Sequence, residues 1–439
     1  MISHNCIILV SIIPKSIRFA KEPRCCVGMT NPFKYGRIVT GEDFADREKE
    51  IEQLLKDLKS GQNILLYSPR RYGKTSLIIN VLNVLLKEKI ITVFIDLYGC
   101  ISISDLVDKI IEETVIPAQG TVQKVADFLK GWISNLRPEI TLNPDGSIDI
   151  SLKKEVQALG AEKVLSQILD APQKMAETKK RPMIVVFDEF QEISNMDGLN
   201  IEKTMRSRFQ NHKNVTYLFA GSRKHLIDEI FGQEKRPFYK FAKPFPIDNI
   251  PRRDFAKFIH RKFKETKILI DPKTVELVLD FTKGHPYFTQ QLCHEIWNIA
   301  SEINEVKEAD LAEAIKTILY QHGDYFTRIW DSLALSQRKL MFALAQENKV
   351  TSVYSTFFIE KYDLTSASHV KKAVDYLEKE GIIEHDAGAY YIGDIFLNEW
   401  VKDKICSSNA LNKASPVKRR PRSTNKPKLR RHSRSQKRN

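Results

Sequence analysis

The chain has 439 residues, which is more than one hydrophobic core normally organises, so we expect two or three domains. Hydrophobic residues make up 42% of the chain and charged residues 28%, a balance typical of globular proteins rather than of disordered or fibrous ones. No apolar run approaches the length that crosses a bilayer, so we expect no membrane-spanning segment.

The net charge of +14 is concentrated at the end of the chain. Residues 412–439 hold 12 of the 69 Lys and Arg residues and none of the 55 acidic residues, which leaves 57 basic residues in the rest of the chain. Three prolines and several serines accompany this charge, so we predict a disordered basic tail over residues 406–439. The tail would bind DNA or another polyanion without base selectivity, or would serve only as a solubilising extension.

The six cysteines are scattered and lack the paired spacing of a metal site, which favours a reducing compartment and a cytoplasmic protein. Near the start, the apolar run over residues 6–13 has no positively charged stretch before it and no small-residue cleavage site after it. We therefore predict a poorly structured leader over residues 1–28, or a true start at Met29, which mass spectrometry of the native N-terminus would test.

The predicted elements begin with a helix over residues 46–59, followed by a strand at 63–68, a helix at 74–87 and a strand at 90–97. This order is typical of an α/β protein with a parallel sheet. Further along, we predict helical structure over 104–130, a β-hairpin inserted near residues 140–152, a helix over 161–178, and strands at 183–187 and 215–220. We assign residues 29–245 to this core.

Helical patterns dominate after about Pro244. Asp271 is predicted to cap a helix that Gly284 ends, and Pro286 to open the next one. We predict a helical lid over residues 246–325. Helical patterns followed by a hairpin signal then predict a winged helix-turn-helix over residues 326–405.

The segment between the first predicted strand and the second predicted helix matches a phosphate-binding loop, or P-loop. In such a loop, backbone N–H groups face the phosphates, Lys74 reaches the β- and γ-phosphates, and the Thr75 hydroxyl ligates Mg²⁺. The usual first glycine is replaced by Ser68, which leaves the loop geometry there open. The predicted nucleotide-binding residues are Ser68, Pro69, Arg70, Arg71, Tyr72, Gly73, Lys74, Thr75 and Ser76.

An apolar strand that ends in Asp188 and Glu189 follows downstream. Asp188 would hold Mg²⁺ through water, and Glu189 would accept a proton from the water that attacks ATP. Alone, this pair could be an ordinary exposed turn, but together with the P-loop it predicts an ATPase. Ser222 could orient water or sense the γ-phosphate, and Arg206 or Arg208 could reach a neighbouring subunit as an arginine finger; an ordinary turn serine and exposed helix arginines are the alternatives.

The motifs Phe33-Lys-Tyr-Gly-Arg, Asp46-Arg-Glu, the P-loop, Val186-Phe-Asp-Glu-Phe-Gln, Gly221-Ser and Gly284-His-Pro-Tyr occur in this order. Over residues 31–401 the chain resembles the archaeal-type ATPase family, which belongs to the STAND-related branch of the AAA+ P-loop ATPases. The resemblance implies a parallel five-stranded core, a helical lid and a C-terminal winged helix. It also implies that residues 33–41 lie against the adenine, that Pro286 contacts the nucleotide, and that Ser222 is the polar sensor.

The predicted function is therefore an ATP-hydrolysing molecular switch that uses ATP and Mg²⁺, with the oligomeric state left open, including a homo-oligomer. The alternative is an ATP-modulated DNA-binding protein that uses the basic tail and the winged helix. A third reading is a nucleotide binder without turnover. The residues that would face DNA are Ser366, Ser368, His369, Lys371 and Lys372, whereas acidic residues on the same helix, Asp375, Glu378 and Glu380, argue against it.

Overall fold

The computed structural model of the protein describes residues 30–45, 47–119, 124–125, 127–128, 139–142, 148–151, 160–386 and 388–414. The chain divides into two compact units, with the boundary between Ala314 and Ile315. The predicted leader, the turn of the predicted hairpin and residues 415–439 of the predicted tail lie outside the described residues. None of the described helices combines the length and apolarity needed to cross a membrane.

A five-stranded parallel sheet forms the centre of the first unit. Its strands are β1 (Ile64–Tyr67), β2 (Ile91–Asp96), β5 (Met183–Asp188), β6 (Val215–Gly221) and β7 (Lys243–Pro246). They lie in the order β2-β5-β6-β1-β7. Strands β5 and β6 are buried at every position, as expected for central strands that are covered on both faces. The predicted fold class is confirmed.

Helices cover both faces of the sheet, because successive side chains of each strand point to opposite sides. The helices are α1 (Glu48–Lys59), α2 (Lys74–Lys87), α3 (Ile103–Gln119), α4 (Ala161–Ile168), α5 (Ala171–Lys179), α6 (Ser194–Phe209) and α7 (Lys224–Gly232). Ile64 and Leu66 belong to the core formed with α1 and α2, whereas Leu65 belongs to the core formed with α3 to α7. The predicted hairpin is present as β3 (Glu139–Leu142) paired antiparallel with β4 (Ile148–Ser151).

Three further helices of the first unit lie in the range predicted as the lid: α8 (Arg252–Glu265), α9 (Pro272–Thr282) and α10 (Pro286–Ala300). Their ends follow the predicted signals. The Asp271 carboxylate accepts the Thr274 N–H at 2.8 Å, and Gly284 follows α9 with a φ of +70°. The chain before α1 contacts these helices, since Asn31 donates to the His294 carbonyl at 2.9 Å.

The second unit contains the predicted winged helix. After α11 (Glu308–Gln321), which crosses the boundary, the elements are α12 (Gly323–Ser332), α13 (Leu335–Glu347), α14 (Thr356–Lys361), α15 (Ala367–Lys379), β8 (Ile383–Asp386), β9 (Ala389–Ile392) and α16 (Ile395–Ala414). Helix α13 packs against α15 and α16, and β8 pairs antiparallel with β9 to form the wing. An isolated bridge between Val350 and Tyr390 extends the wing.

Two elements that contain proline differ from the pattern-based predictions. Strand β7 lies where helical structure was predicted to begin, and its prolines Pro244 and Pro246 are tolerated because β7 is an edge strand. The helix predicted over 161–178 is two helices, α4 and α5. Pro172 occupies the first turn of α5, the helical position that best accommodates proline.

The boundary predicted between winged helix and tail is also shifted. Helix α16 runs to Ala414, past residue 406, where the tail was predicted to start. Residues 406–414 contain no proline, the residue that is least compatible with a helix interior.

Candidate functional site

The P-loop connects β1 to the start of α2, as predicted. Gly73 precedes α2 with a φ of +82°, in the left-handed region that glycine adopts without strain. No side chain caps the first turn of α2. Its backbone N–H groups are therefore available to an anion, and the helix dipole adds a positive potential at the same place.

Ser68 fits the loop without the usual glycine. The residue is buried, and its backbone is not in the left-handed region that would require glycine. Its N–H donates to the Gly221 carbonyl at 3.4 Å, and its hydroxyl donates to the Pro69 carbonyl at 3.1 Å. Serine at this position thus completes the first turn of the loop through a local hydrogen bond.

The P-loop and the acidic strand end meet at the carboxyl edge of the sheet. The Thr75 hydroxyl donates to Asp188 Oδ2 at 2.9 Å, and Lys74 Nζ lies 3.8 Å from Glu189 Oε1. Asp188 is only 4% exposed. The predicted grouping of these four residues is therefore present in the structure.

The strands that carry these residues are not adjacent. Strand β6 lies between β1 and β5, so Ser222, which follows β6, lies between the P-loop and the acids. Crossover connections allow the order of strands in a parallel sheet to depart from their order along the chain. This arrangement brings Ser222 into direct contact with Glu189.

Glu189 is held by several donors. It has a φ of +51°, and its Oε2 accepts hydrogen bonds from Ser222 Oγ at 2.7 Å and from Gln191 Nε2 at 2.5 Å. Burial raises the pKa of Glu189, but Lys74, these two hydrogen bonds and Arg70 outweigh it and hold the pKa below its usual value. Glu189 is therefore ionised at neutral pH.

At Asp188 the pKa lies above its usual value. Burial is the main cause and Glu189 adds to the rise, which outweighs the opposing effects of Lys74, the Thr75 hydroxyl and the Glu189 N–H.

Both carboxylates line a cleft of about 290 Å³. Its lining residues are Ile38, Thr75, Phe94, Asp96, Tyr98, Asp188 and Glu189.

The start of α10 contacts the P-loop. The His285 ring lies edge-on to Tyr72 with centroids 4.5 Å apart, and the Arg71 guanidinium lies 4.7 Å from the centre of the Tyr287 ring. Burial, with Arg71 and Arg47 nearby, lowers the pKa of His285 to about 3, so its ring is neutral at physiological pH. Pro286 is thus flanked by two residues that touch the P-loop; its contact with nucleotide stays a prediction.

Comparison with known proteins decides the family. The model of an ATPase domain found predominantly in Archaea matches residues 44–292, which is more than half of the chain, and the model of a "Probable winged helix domain" matches residues 324–403. The chain belongs to the archaeal-type ATPase family. It is 25% identical over 252 residues to an uncharacterised ATP-binding protein of Pyrococcus horikoshii, a match that covers 56% of this chain and 73% of that protein.

Solved structures support the fold of this archaeal-type ATPase. A Walker-type ATPase of Pyrococcus abyssi superposes with a TM-score of 0.58 at 18% identity, covering 84% of this chain and 99% of that one. The ORC2 protein of Aeropyrum pernix, solved with ADPNP and ADP, superposes with a TM-score of 0.52 at 12% identity, covering 87% and 98%. At such low identity these matches support the fold alone.

A divalent cation fits the site of the ATPase domain. Thr75 Oγ1 and the buried Asp188 carboxylate are the hard oxygen ligands that Mg²⁺ prefers. No group of three or more His, Cys, Asp or Glu side chains suited to a metal occurs among the described residues. The remaining ligands would therefore be water and substrate phosphates, which is the usual way that Mg²⁺ binds in nucleotide sites.

Two residues of the site were missed by residue patterns. Arg47 is 2% exposed and donates to the carbonyls of Asp248 at 2.7 Å and Tyr72 at 3.4 Å. It therefore connects the backbone of the P-loop at Tyr72 to the segment that contains Asp248. Its only sequence signal was its place in the Asp46-Arg-Glu motif. Gln191 is the last residue of the motif Val186-Phe-Asp-Glu-Phe-Gln, and nothing in that motif indicates the hydrogen bond from Gln191 to Glu189.

The two candidate arginine fingers make contacts within their own chain. Arg208 pairs with Asp170 at 3.2 Å and donates to Ser166 at 2.9 Å. Arg206 lies 4.2 Å from the centre of the Phe241 ring. These contacts match the alternative of ordinary helix arginines and lend no support to a role in a neighbouring subunit.

Proposed function

We propose that this archaeal-type ATPase binds ATP with Mg²⁺ at the P-loop and hydrolyses it at Glu189. The observation that carries the proposal is the convergence of the P-loop with the acidic strand end: Lys74 lies 3.8 Å from Glu189, and Thr75 lies 2.9 Å from Asp188. A phosphate-binding lysine, a Mg²⁺-binding hydroxyl and carboxylate, and a group that activates or orients the attacking water are recurring parts of sites for phosphoryl transfer.

Binding of ATP would rearrange the charges at this site. The phosphates compete with Glu189 for Lys74, because a triphosphate offers the Lys74 ammonium more negative charge than one carboxylate. The uncapped N–H groups of α2 would hold the β-phosphate. Mg²⁺, when bound by Thr75, Asp188 and the phosphates, offsets the charge that develops on the phosphate oxygens.

In the hydrolytic step Glu189 acts as the general base. It accepts a proton from the attacking water as the water oxygen bonds to the γ-phosphorus and the bond from that phosphorus to the β–γ bridging oxygen breaks. The products are ADP and inorganic phosphate, and the proton then leaves Glu189 for solvent. Release of Lys74 to the phosphates frees Oε1 of Glu189 for this role.

The contacts of Tyr72 with His285 and of Arg71 with Tyr287 support a switch function. A change in P-loop conformation is transmitted directly to the start of α10, the helix that Pro286 opens. Loss of the γ-phosphate would therefore alter the position of the lid helices, so that ATP hydrolysis would change the conformation of the protein.

The experiment uses Lys74→Ala beside Lys163→Ala, a matched control at an exposed lysine on α4. ATP affinity and phosphate release are measured for each purified full-length variant. We expect Lys74→Ala to weaken ATP binding about 100-fold and to abolish turnover, while Lys163→Ala behaves as wild type. Tight ATP binding without phosphate release in the wild type would instead identify a nucleotide binder without turnover.

DNA binding is a second candidate function. The exposed positions of α15 include His369, Lys371 and Lys372, which could face a major groove, although Asp375 is also exposed on this helix. A DNA shift assay across salt concentrations would compare wild type, Lys371→Ala with Lys372→Ala, and a chain that ends at residue 414. Loss of binding only on truncation assigns it to the tail, loss only in the lysine variant assigns it to the winged helix, and no shift in wild type removes this candidate.

A further inference from the structure

Gln191 lies beside the general base without an obvious structural role. It is 1% exposed, in the 3-10 helix over Phe190–Ile193 that follows Glu189. Its Nε2 donates to Glu189 Oε2 at 2.5 Å. The Gln191 amide is thus a polar group in the interior of the protein, next to a carboxylate.

The other end of this amide is unsatisfied. Gln191 Oε1 is buried, and no described residue donates a hydrogen bond to it. An unpaired buried acceptor lowers stability, so packing alone would favour an apolar side chain here. The left-handed backbone of Glu189, with a φ of +51°, adds a second local cost at the same turn.

Both unfavourable features serve one arrangement. Gln191 and Ser222 donate to the same oxygen, Glu189 Oε2, from two different elements. This leaves Oε1 as the oxygen that faces the P-loop, where Lys74 Nζ lies 3.8 Å away. One oxygen of the carboxylate is therefore held by two hydrogen bonds, and the other faces the P-loop.

We propose that Gln191 is a positioning residue for ATP hydrolysis, and that it acts by holding Oε2 of Glu189 so that Oε1 meets the attacking water. The inference rests on the proposed function, because it concerns the same general base. Positioning matters here since a displacement of about 1 Å in a reacting group can cost as much as 100-fold in rate.

The principal variant is Gln191→Met, which keeps the length of the side chain and removes both the donor and the unsatisfied oxygen. We expect kcat to fall about 10- to 100-fold, with KM and ATP affinity within about 2-fold of wild type. The substitution removes an unpaired buried acceptor, which raises stability, and a hydrogen bond to the ionised Glu189, which lowers it, so the two effects on the melting temperature oppose each other. The melting temperature therefore serves to verify that the variant is folded, and the split between kcat and ATP affinity tests the role.

A matched control is Gln167→Met on α4. Gln167 Oε1 is likewise buried without a donor among the described residues, but Gln167 lies on an element that contributes nothing to the site. This variant should leave kcat unchanged. A second control places Gln191→Met in a Glu189→Gln background, where it should lower the residual rate no further, since its effect passes through Glu189.

Three results would overturn the inference: unchanged kcat in Gln191→Met, a parallel loss of kcat and ATP affinity, or an equal further loss in the Glu189→Gln background. If Gln191→Met does not fold, Ser222→Ala removes the other donor to the same oxygen and must show the same pattern in both backgrounds. Absence of phosphate release in wild type would refute the proposed function itself, whereas normal turnover with an insensitive Gln191 refutes only this inference.

Discussion

Gly221 shows how tightly the strand ends are packed around the acids. A Cβ at this position would lie 2.4 Å from Ile227 Cδ1 and 2.7 Å from Gln191 Oε1. Contacts this short force side chains to move, and one of the two that must move is the amide that holds Glu189. The last residue of β6 is therefore glycine for reasons of space rather than of backbone conformation.

We expect Gly221→Ala to lower the free energy of unfolding by about 1–3 kcal/mol, the usual cost of overpacking a core. Phosphate release should also slow, because Gln191 is displaced. Gly232→Ala is the control: a Cβ there meets nothing within 4 Å, and alanine is the better helix former at the end of α7. Denaturant unfolding checks both variants, and equal stability of Gly221→Ala and wild type would contradict the packing described here.

His285 predicts a dependence of stability on pH. Its pKa is about 3 in the folded protein and about 6.5 in an unfolded chain, so between these values only the unfolded chain binds a proton. Stability is therefore lost as pH falls below about 6.5, by up to about 1.4 kcal/mol per pH unit. The first unit should lose about 2 kcal/mol from this source between pH 7 and pH 5.

The measurement is denaturant unfolding at both pH values for wild type and His285→Gln. His285→Gln should lose about 2 kcal/mol less than wild type on acidification. An identical acid response in wild type and His285→Gln would show that this ring is not buried in the neutral form.

At the scale of elements, the start of α9 is fixed by a side chain that caps it. Asp271 accepts the Thr274 N–H at 2.8 Å and the Thr274 hydroxyl at 2.7 Å, which makes it the N-cap of α9. Asp271→Ala should lower the free energy of unfolding by about 1 kcal/mol, whereas Asp271→Ser should largely preserve it. Thermal or denaturant unfolding checks this, and equal losses in both variants would contradict a capping role.

Local patterns predicted the elements that are marked by their own residues. Gly73, Lys74 and Thr75 indicated the strand-to-helix turn, and the apolar run before Asp188 indicated β5. Strand β7 could not be predicted in this way, because four residues with two prolines form a strand only when β1 offers an edge to pair with. The insertion of β6 between β1 and β5 likewise depends on contacts between distant segments, which residue patterns do not contain.

The same limit applies to the site. The acids and the P-loop were predictable because their residue types carry the chemistry. Gln191 and Arg47 were not, because their roles depend on which distant or neighbouring atoms the fold places beside them. Ser68 was the converse case: an apparent departure from the P-loop pattern is accommodated by one hydrogen bond to the Pro69 carbonyl.

At the scale of the whole molecule, the proposed function predicts that nucleotide stabilises the first unit. A ligand that binds only the folded state at 100 times its Kd adds about 2.7 kcal/mol to the free energy of unfolding. ATP with Mg²⁺ should therefore raise the melting temperature of wild type and of Lys163→Ala, but not of Lys74→Ala. An equal rise in Lys74→Ala would place the nucleotide away from the P-loop.

The central claim is that Glu189 turns over ATP held by Lys74, Thr75 and Asp188. Glu189→Gln tests it most directly, because it keeps the shape of the side chain and removes the base. ATP bound per protomer and phosphate released are followed together after mixing with ATP and Mg²⁺. We predict that this variant binds ATP as tightly as wild type and releases phosphate at least about 100-fold more slowly. Phosphate release at the wild-type rate from Glu189→Gln would contradict the claim.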